Sequence, residues 1–85
     1  MIEQGKTLFA DGFEEAICGT TDDGRVVYSK VDMVEILVVR DDMSVEDAMV
    51  HCEFNVWGAY VGEYTPIYIN DFDADFYELN EHLNA

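Results

Sequence analysis

The stretch VDMVEILVVRDD, residues 31–42, decides what kind of fold this chain adopts. Val34, Ile36, Val38 and Val39 are β-branched, and such side chains favour a pleated, extended backbone. A strand here would make the chain mostly β. The flank argues the other way. Ser29 stands three residues before Asp32, the Ser-x-x-Asp/Glu spacing in which a serine caps a helix start. Once the helix starts there, Val31, Val34, Leu37 and Val38 share one face. The capping pattern therefore predicts a helix over residues 30–40.

Downstream, MSVEDAMVHCEFNVWG repeats the logic more clearly. Ser44 caps, Asp47 follows three residues later, and Glu46 and Asp47 sit in the first turn, where the helix dipole favours acids. Val45, Ala48, Met49, Cys52 and Val56 then form an apolar stripe, predicting a helix over residues 44–57, with Gly58 as its stop. TPIYI predicts a strand near 66–70, opened by Pro66, a residue tolerated at a strand's first position or on an edge. DADFYELNEHL is consistent with a short terminal helix, with Phe76, Leu79 and Leu83 on one side. Upstream, EEAICGT, TDDG and RVVYS read as strand, turn, strand, with Asp23-Gly24 as the turn signal. This places strands near 14–19 and 25–28. Residues 1–12 read as a loose lead-in. The expected architecture is one acidic α+β domain spanning 1–85, with two or three helices packed on a small, mostly antiparallel sheet.

Composition narrows the function classes. Nineteen Asp and Glu face four Lys and Arg, a net charge of -15. Self-repulsion at that charge costs stability. It also opposes direct binding to nucleic acid or to an anionic membrane, both of which need cations to meet phosphates. A basic protein or a cation is the natural partner. Hydrophobic residues make up 49% of the chain and aromatics 13%, enough for a packed core despite the charge. The first residues show no signal-peptide pattern, and no apolar run is long enough to span a membrane. Cys18 and Cys52 have no metal-site spacing, so reduced, half-buried thiols are expected.

Residues 26–69 resemble a group of small proteins of bacteriophages and prophage-bearing bacteria that has no assigned function. The resemblance rests on VVYSKVDMVEIL, then MSVEDAM, then FNVWGAYVGEYTPIYI, in that order and spacing. Ser29 stands where that group commonly has Asp, and Asp42 where it commonly has Gly. Both departures stay within capping and turn chemistry. The resemblance implies a phage or bacterial-host cytoplasmic setting and implies no activity.

Two regions are candidate sites. Asn55, Trp57, Tyr60, Glu63 and Tyr64 lie in the segment that holds the single Trp and single Pro. They either line a pocket or interface, or form the joint where a helix turns into a strand. In the joint, Asn55 would bond to backbone and Gly62 would supply a special φ. The second region is acidic: Asp71, Asp73, Asp75, Glu78 and Glu81 on the last segment, with Glu46, Asp47 and Glu53 on the second helix. Asp71, Asp73 and Asp75 alternate like the start of a calcium loop. That loop needs Gly at its sixth position and Glu at its twelfth, where this chain has Phe76 and His82, so the motif fails. His51 and Cys52 are adjacent, about 100° apart on a helix, and do not converge on one metal. No glycine-rich phosphate loop is present, and no cofactor is expected. The expectation is a non-enzymatic, phage-derived interaction protein that binds a basic host or phage protein. It would inhibit a host nucleic-acid-binding or defence protein through a DNA-mimicking acidic face. The alternatives are a homo-oligomeric assembly module using the aromatic patch and a small-ligand binder at the 54–66 turn.

Overall fold

A computed structural model describes residues 2–72. Its order is β1 (Ile2–Gln4), β2 (Thr7–Phe9), a 3-10 turn (Glu14–Ala16), β3 (Ile17–Thr20), β4 (Val26–Ser29), α1 (Lys30–Arg40), α2 (Val45–Cys52), a π-helical turn (Glu53–Trp57) and β5 (Ile67–Ile69). This is a small α+β fold. The proposed terminal helix lies outside the described residues.

The segment 31–42 is helical, and its caps explain why. Ser29 has extended backbone, and its hydroxyl accepts the Asp32 N–H at 3.1 Å. Ser44 does the same for Asp47 at 3.1 Å. At the far end of α1, Asp42 takes φ 55°, a left-handed conformation that Asp tolerates. The Asp41 and Met43 N–H groups both turn back to the Leu37 carbonyl, at 3.0 and 3.4 Å. The buried face of α1 is Met33, Val34 and Leu37. It is rotated from the expected one, since Val31 and Val38 are only half-buried. The β-branched pattern in this stretch reflects neither a strand nor the core-facing stripe alone.

The second helix extends over the expected length but changes pitch after Cys52. The Glu53 N–H is shared between the Met49 and Val50 carbonyls, four and three residues back, and the π-helical turn follows over Glu53–Trp57. In π spacing each N–H reaches five residues back. The Asn55 side-chain amide donates to the His51 carbonyl at 3.0 Å. Ala48 and Cys52 are fully buried, and Val45, Met49 and Val56 pack around them, the stripe expected from sequence.

Strand β4 is the centre of a three-stranded sheet of order β3-β4-β5. It pairs antiparallel with β3, Ile17 opposite Tyr28, and parallel with β5, Val27 opposite Ile67. Two parallel neighbours need a crossover, and α1 and α2 supply it. The sheet is therefore mixed, with one of its two pairings parallel. The first of its strands starts later than expected, because residues 14–16 form a 3-10 turn that buries Ala16.

Residues 2–9, expected as part of a loose lead-in, form an antiparallel hairpin with Ile2 opposite Phe9. Gly5 at φ +64° makes its turn. The hairpin is tied to the sheet twice. Thr7 Oγ1 donates to the Gly24 carbonyl at 3.0 Å, and the Ala10 N–H donates to the Tyr28 hydroxyl at 2.9 Å.

Tyr28 and Tyr68 stack with ring centroids 5.7 Å apart, yet their hydroxyls differ. Tyr28 accepts from Ala10, whereas the buried Tyr68 hydroxyl has no hydrogen-bond partner among the described residues. Tyr28→Phe is expected to orphan the Ala10 N–H and lower stability by about 1–3 kcal/mol. Tyr68→Phe should leave stability unchanged or raise it. Urea unfolding of the two variants beside the parent checks the contrast, and equal losses would refute it.

Candidate functional site

The segment 54–69 is built as a joint. Trp57 is half-buried, its indole N–H donates to the Met33 sulfur at 3.4 Å, and its ring meets Phe72 edge-on with centroids 6.2 Å apart. Lys30 Nζ lies 4.6 Å from the centre of the same ring, a cation–π contact. Tyr64 packs over Gly24, whose φ of +87° requires glycine and where an added Cβ would come within 3.3 Å of the ring. Thr65 closes the turn. Its buried hydroxyl accepts the Val61 N–H at 2.9 Å and donates to the Gly62 carbonyl at 2.7 Å. Gly62 sits at φ +121°, as the joint reading expected. Arg25 Nε donates to the Thr65 carbonyl at 2.7 Å.

Of the five residues proposed for a pocket or interface, Asn55, Trp57 and Tyr64 have side chains engaged in this joint. Tyr60 and Glu63 face solvent. Among the described residues, Tyr60 at 79% and Phe54 at 82% are the aromatics the fold leaves most exposed. Beside the turn, Lys6, Leu8, Val61, Gly62, Glu63 and Tyr64 line a shallow depression of about 320 Å³. It is open, and no cluster of metal-ligating side chains occurs among the described residues.

The acidic candidates divide. Glu46, Asp47 and Glu53 are all exposed along α2 and its π-helical extension. Asp73, Asp75, Glu78 and Glu81 lie outside the described residues. Asp71, expected as part of a partner-binding face, is exposed and is also a second cap for α1. Its carboxylate accepts the Ser29 hydroxyl at 2.5 Å and the Val31 N–H at 3.1 Å. Burial alone would raise its pKa, but the hydrogen bonds from Ser29 and Val31 outweigh that and hold it below 3.8. Sequence could not reveal this, because the partners are far apart along the chain and no local pattern links them.

The cations show an arrangement that composition concealed. Arg25 holds Thr65, Lys30 covers Trp57, and Arg40 donates to the Gly12 carbonyl at 2.7 Å and pairs with Asp41 at 3.1 Å. Three of the four cations therefore serve internal or adjacent groups, and Arg40–Asp41 is the one carboxylate ion pair among the described residues. The remaining acids keep their field facing outward.

The two thiols are free, Cys18 exposed and Cys52 buried. Burial pushes the Cys52 thiol up to about 11. Among the described residues the histidine nearest in sequence to a thiol is His51, which as the neighbour of Cys52 stands about 100° round the helix from it and is not placed to activate it. No family model matches the chain, and no curated protein or solved structure matches it either.

Two measurements follow from this geometry. Because the folded pKa of Asp71 is depressed, its ionised form stabilises the fold above pH 3.8, and that stability is lost as pH falls below it. The Asp41 carboxylate is also held below its ordinary value, by its hydrogen bond from Arg40, so the parent alone does not isolate Asp71. The stability gap between the parent and Asp71→Asn should favour the parent at pH 7 and close below pH 3.8. A gap independent of pH would refute the capping charge. Iodoacetamide at pH 8 should modify Cys18 in the folded protein and Cys52 only after unfolding, read by peptide mass mapping.

Proposed function

We propose that this chain is a non-enzymatic interaction protein that binds a basic partner protein through its acidic surface. The observation that supports this best is the division of charge. Arg25, Lys30 and Arg40 are engaged within the fold, while Glu46, Asp47 and Glu53 face solvent with no ion-pair partner among the described residues. An outward field of one sign speeds encounter with an opposite charge and repels nucleic acid. The resemblance to bacteriophage and prophage proteins suggests a host or phage protein as the partner, met in the bacterial cytoplasm.

The finer reading is inhibition of a host nucleic-acid-binding or defence protein by mimicry of DNA. Magnitude decides how much of it α2 can support. Glu46 to Glu53 covers about 10 Å of helix axis, along which duplex DNA carries about six charges. The helix offers three there. Mimicry at duplex density therefore needs acids from outside α2 as well, and binding to a basic protein surface does not.

A second reading has its own observation. Phe54, Tyr60 and Val61 are at least half exposed in one segment, and aromatic patches of this kind occur at interfaces. Self-association would bring two charges of -15 together, so salt should promote it. Salt should weaken binding to a basic partner.

The test is affinity capture from bacterial lysate at about 0.05 M and about 0.5 M salt, where screening lengths differ about threefold. The parent should be compared with the triple variant Glu46→Gln, Asp47→Asn, Glu53→Gln. Asp71 must stay intact, because altering it also uncaps α1. The expected result is a DNA-binding or other basic protein, captured at low salt and reduced both by high salt and by the triple variant. Capture indifferent to both would refute the reading. Light scattering that shows oligomers growing with salt and lost in Tyr60→Ser would favour the second.

A further inference from the structure

The outer side of α1 carries a groove that the acidic reading does not use. Asp32, Glu35, Ile36, Val39 and Arg40 recur at helical spacing, so they form one stripe opposite the buried Met33, Val34 and Leu37. With Glu15 from the 3-10 turn they enclose a groove of about 430 Å³. Its floor carries the half-buried Ile36, and Val39, 84% exposed, projects beside it as a second apolar group. Its rim is anionic. Glu15, Asp32 and Glu35 have no ion-pair partner among the described residues. Arg40 at one end is neutralised by Asp41 and anchored to the Gly12 carbonyl.

We propose that this groove docks a basic amphipathic helix of a partner protein, with one apolar anchor over Val39 and Lys or Arg facing the three carboxylates. Charge complementarity selects that occupant. A neutral apolar helix would strip water from Glu15, Asp32 and Glu35 and return nothing. A second copy of this chain would set the same acids against them. A basic amphipathic helix covers the floor and meets the rim together, the helix-in-groove mode of recognition. The eleven residues of α1 span about 16 Å, a length that three turns of a docked helix would match.

This inference rests on the proposal that the partner is basic, and adds where and in what form it binds. The probe is a synthetic amidated Leu/Lys peptide of about 15 residues, the length at which an isolated helix begins to hold, with Leu along one face. A scrambled peptide of the same composition is the control. Both are titrated into the intact protein and followed by amide chemical shifts. Shift changes should gather at residue 15 and residues 32–40, and the scrambled peptide should bind about tenfold more weakly. Val39→Ser leaves the charge unchanged, and Glu35→Lys reverses one rim charge. Each should weaken binding about five- to tenfold. Glu46→Lys makes the same charge change on α2 and should cost less than about twofold. All three positions are exposed, and unchanged melting temperatures confirm folding. Equal losses from Glu35→Lys and Glu46→Lys, no loss from Val39→Ser, or equal binding of the scrambled peptide would overturn the groove. If Glu46→Lys proves the sensitive variant, the groove falls while a basic partner stands. If neither peptide binds at low salt, both fall.

Discussion

The Ser29 hydroxyl is the contact on which the arrangement of this fold depends. Strand β4 ends at Ser29 and α1 begins at Lys30, so no loop absorbs a misdirected chain. A hydroxyl has one proton to donate and two lone pairs to accept with, and here it works in both directions. It accepts from Asp32 to start the helix and donates to Asp71 to hold the chain that leaves β5. One buried side chain thus fixes the direction of α1 from the central strand. The helix in turn places α2 against Met33, Val34 and Leu37, and Asp71 returns the later chain to the point where the helix began. The paired use of serine and carboxylate also puts negative charge at a helix N-terminus, where the dipole favours it.

The distribution of charge is the second organising fact. A chain with so few cations could scatter them on its surface to dilute the repulsion of its acids. Instead Arg25, Lys30 and Arg40 each join separate parts of the fold: a strand to the turn before β5, a helix start to the Trp57 ring, a helix end to the turn at Gly12. Cations placed this way stabilise the structure while neutralising little of its outward field. Among the described residues the acids that face solvent are spread over the turns and loops as well as the helices, where Asp32, Glu35, Glu46 and Asp47 stand, and three of the most exposed apolar side chains, Val39, Phe54 and Tyr60, lie on α1 or in the segment after α2.

The helices were legible because capping is a local code. Ser29 with Asp32 and Ser44 with Asp47 marked both starts, and the apolar stripe of α2 named its buried residues. The turn at Gly24 and the strand after Pro66 were legible for the same reason. What escaped depends on distance along the chain. The hairpin at residues 2–9 has weak alternation, and it is held through Thr7 and Ala10 by contacts to Gly24 and Tyr28. Ala16 reads as part of a strand until the 3-10 turn beneath α1 is seen. Asp71 belongs to a run of alternating acids that suggests a surface, and only the fold brings it to Ser29. Trp57 and Tyr64 carry the signature of an interface, yet their partners Met33 and Gly24 lie far upstream.

The parallel pairing of β4 with β5 also sets an order of assembly. During synthesis the hairpins and both helices leave the ribosome before Ile67, which pairs with Val27 across the whole helical crossover. Contacts so distant in sequence form slowly, because the intervening chain must first be ordered. Until β5 arrives, one edge of the central strand has its backbone groups open, a template for pairing with other nascent chains. Mutual repulsion among chains this acidic keeps such encounters brief. The same carboxylates that strain the finished domain thus protect the chain while its sheet is incomplete.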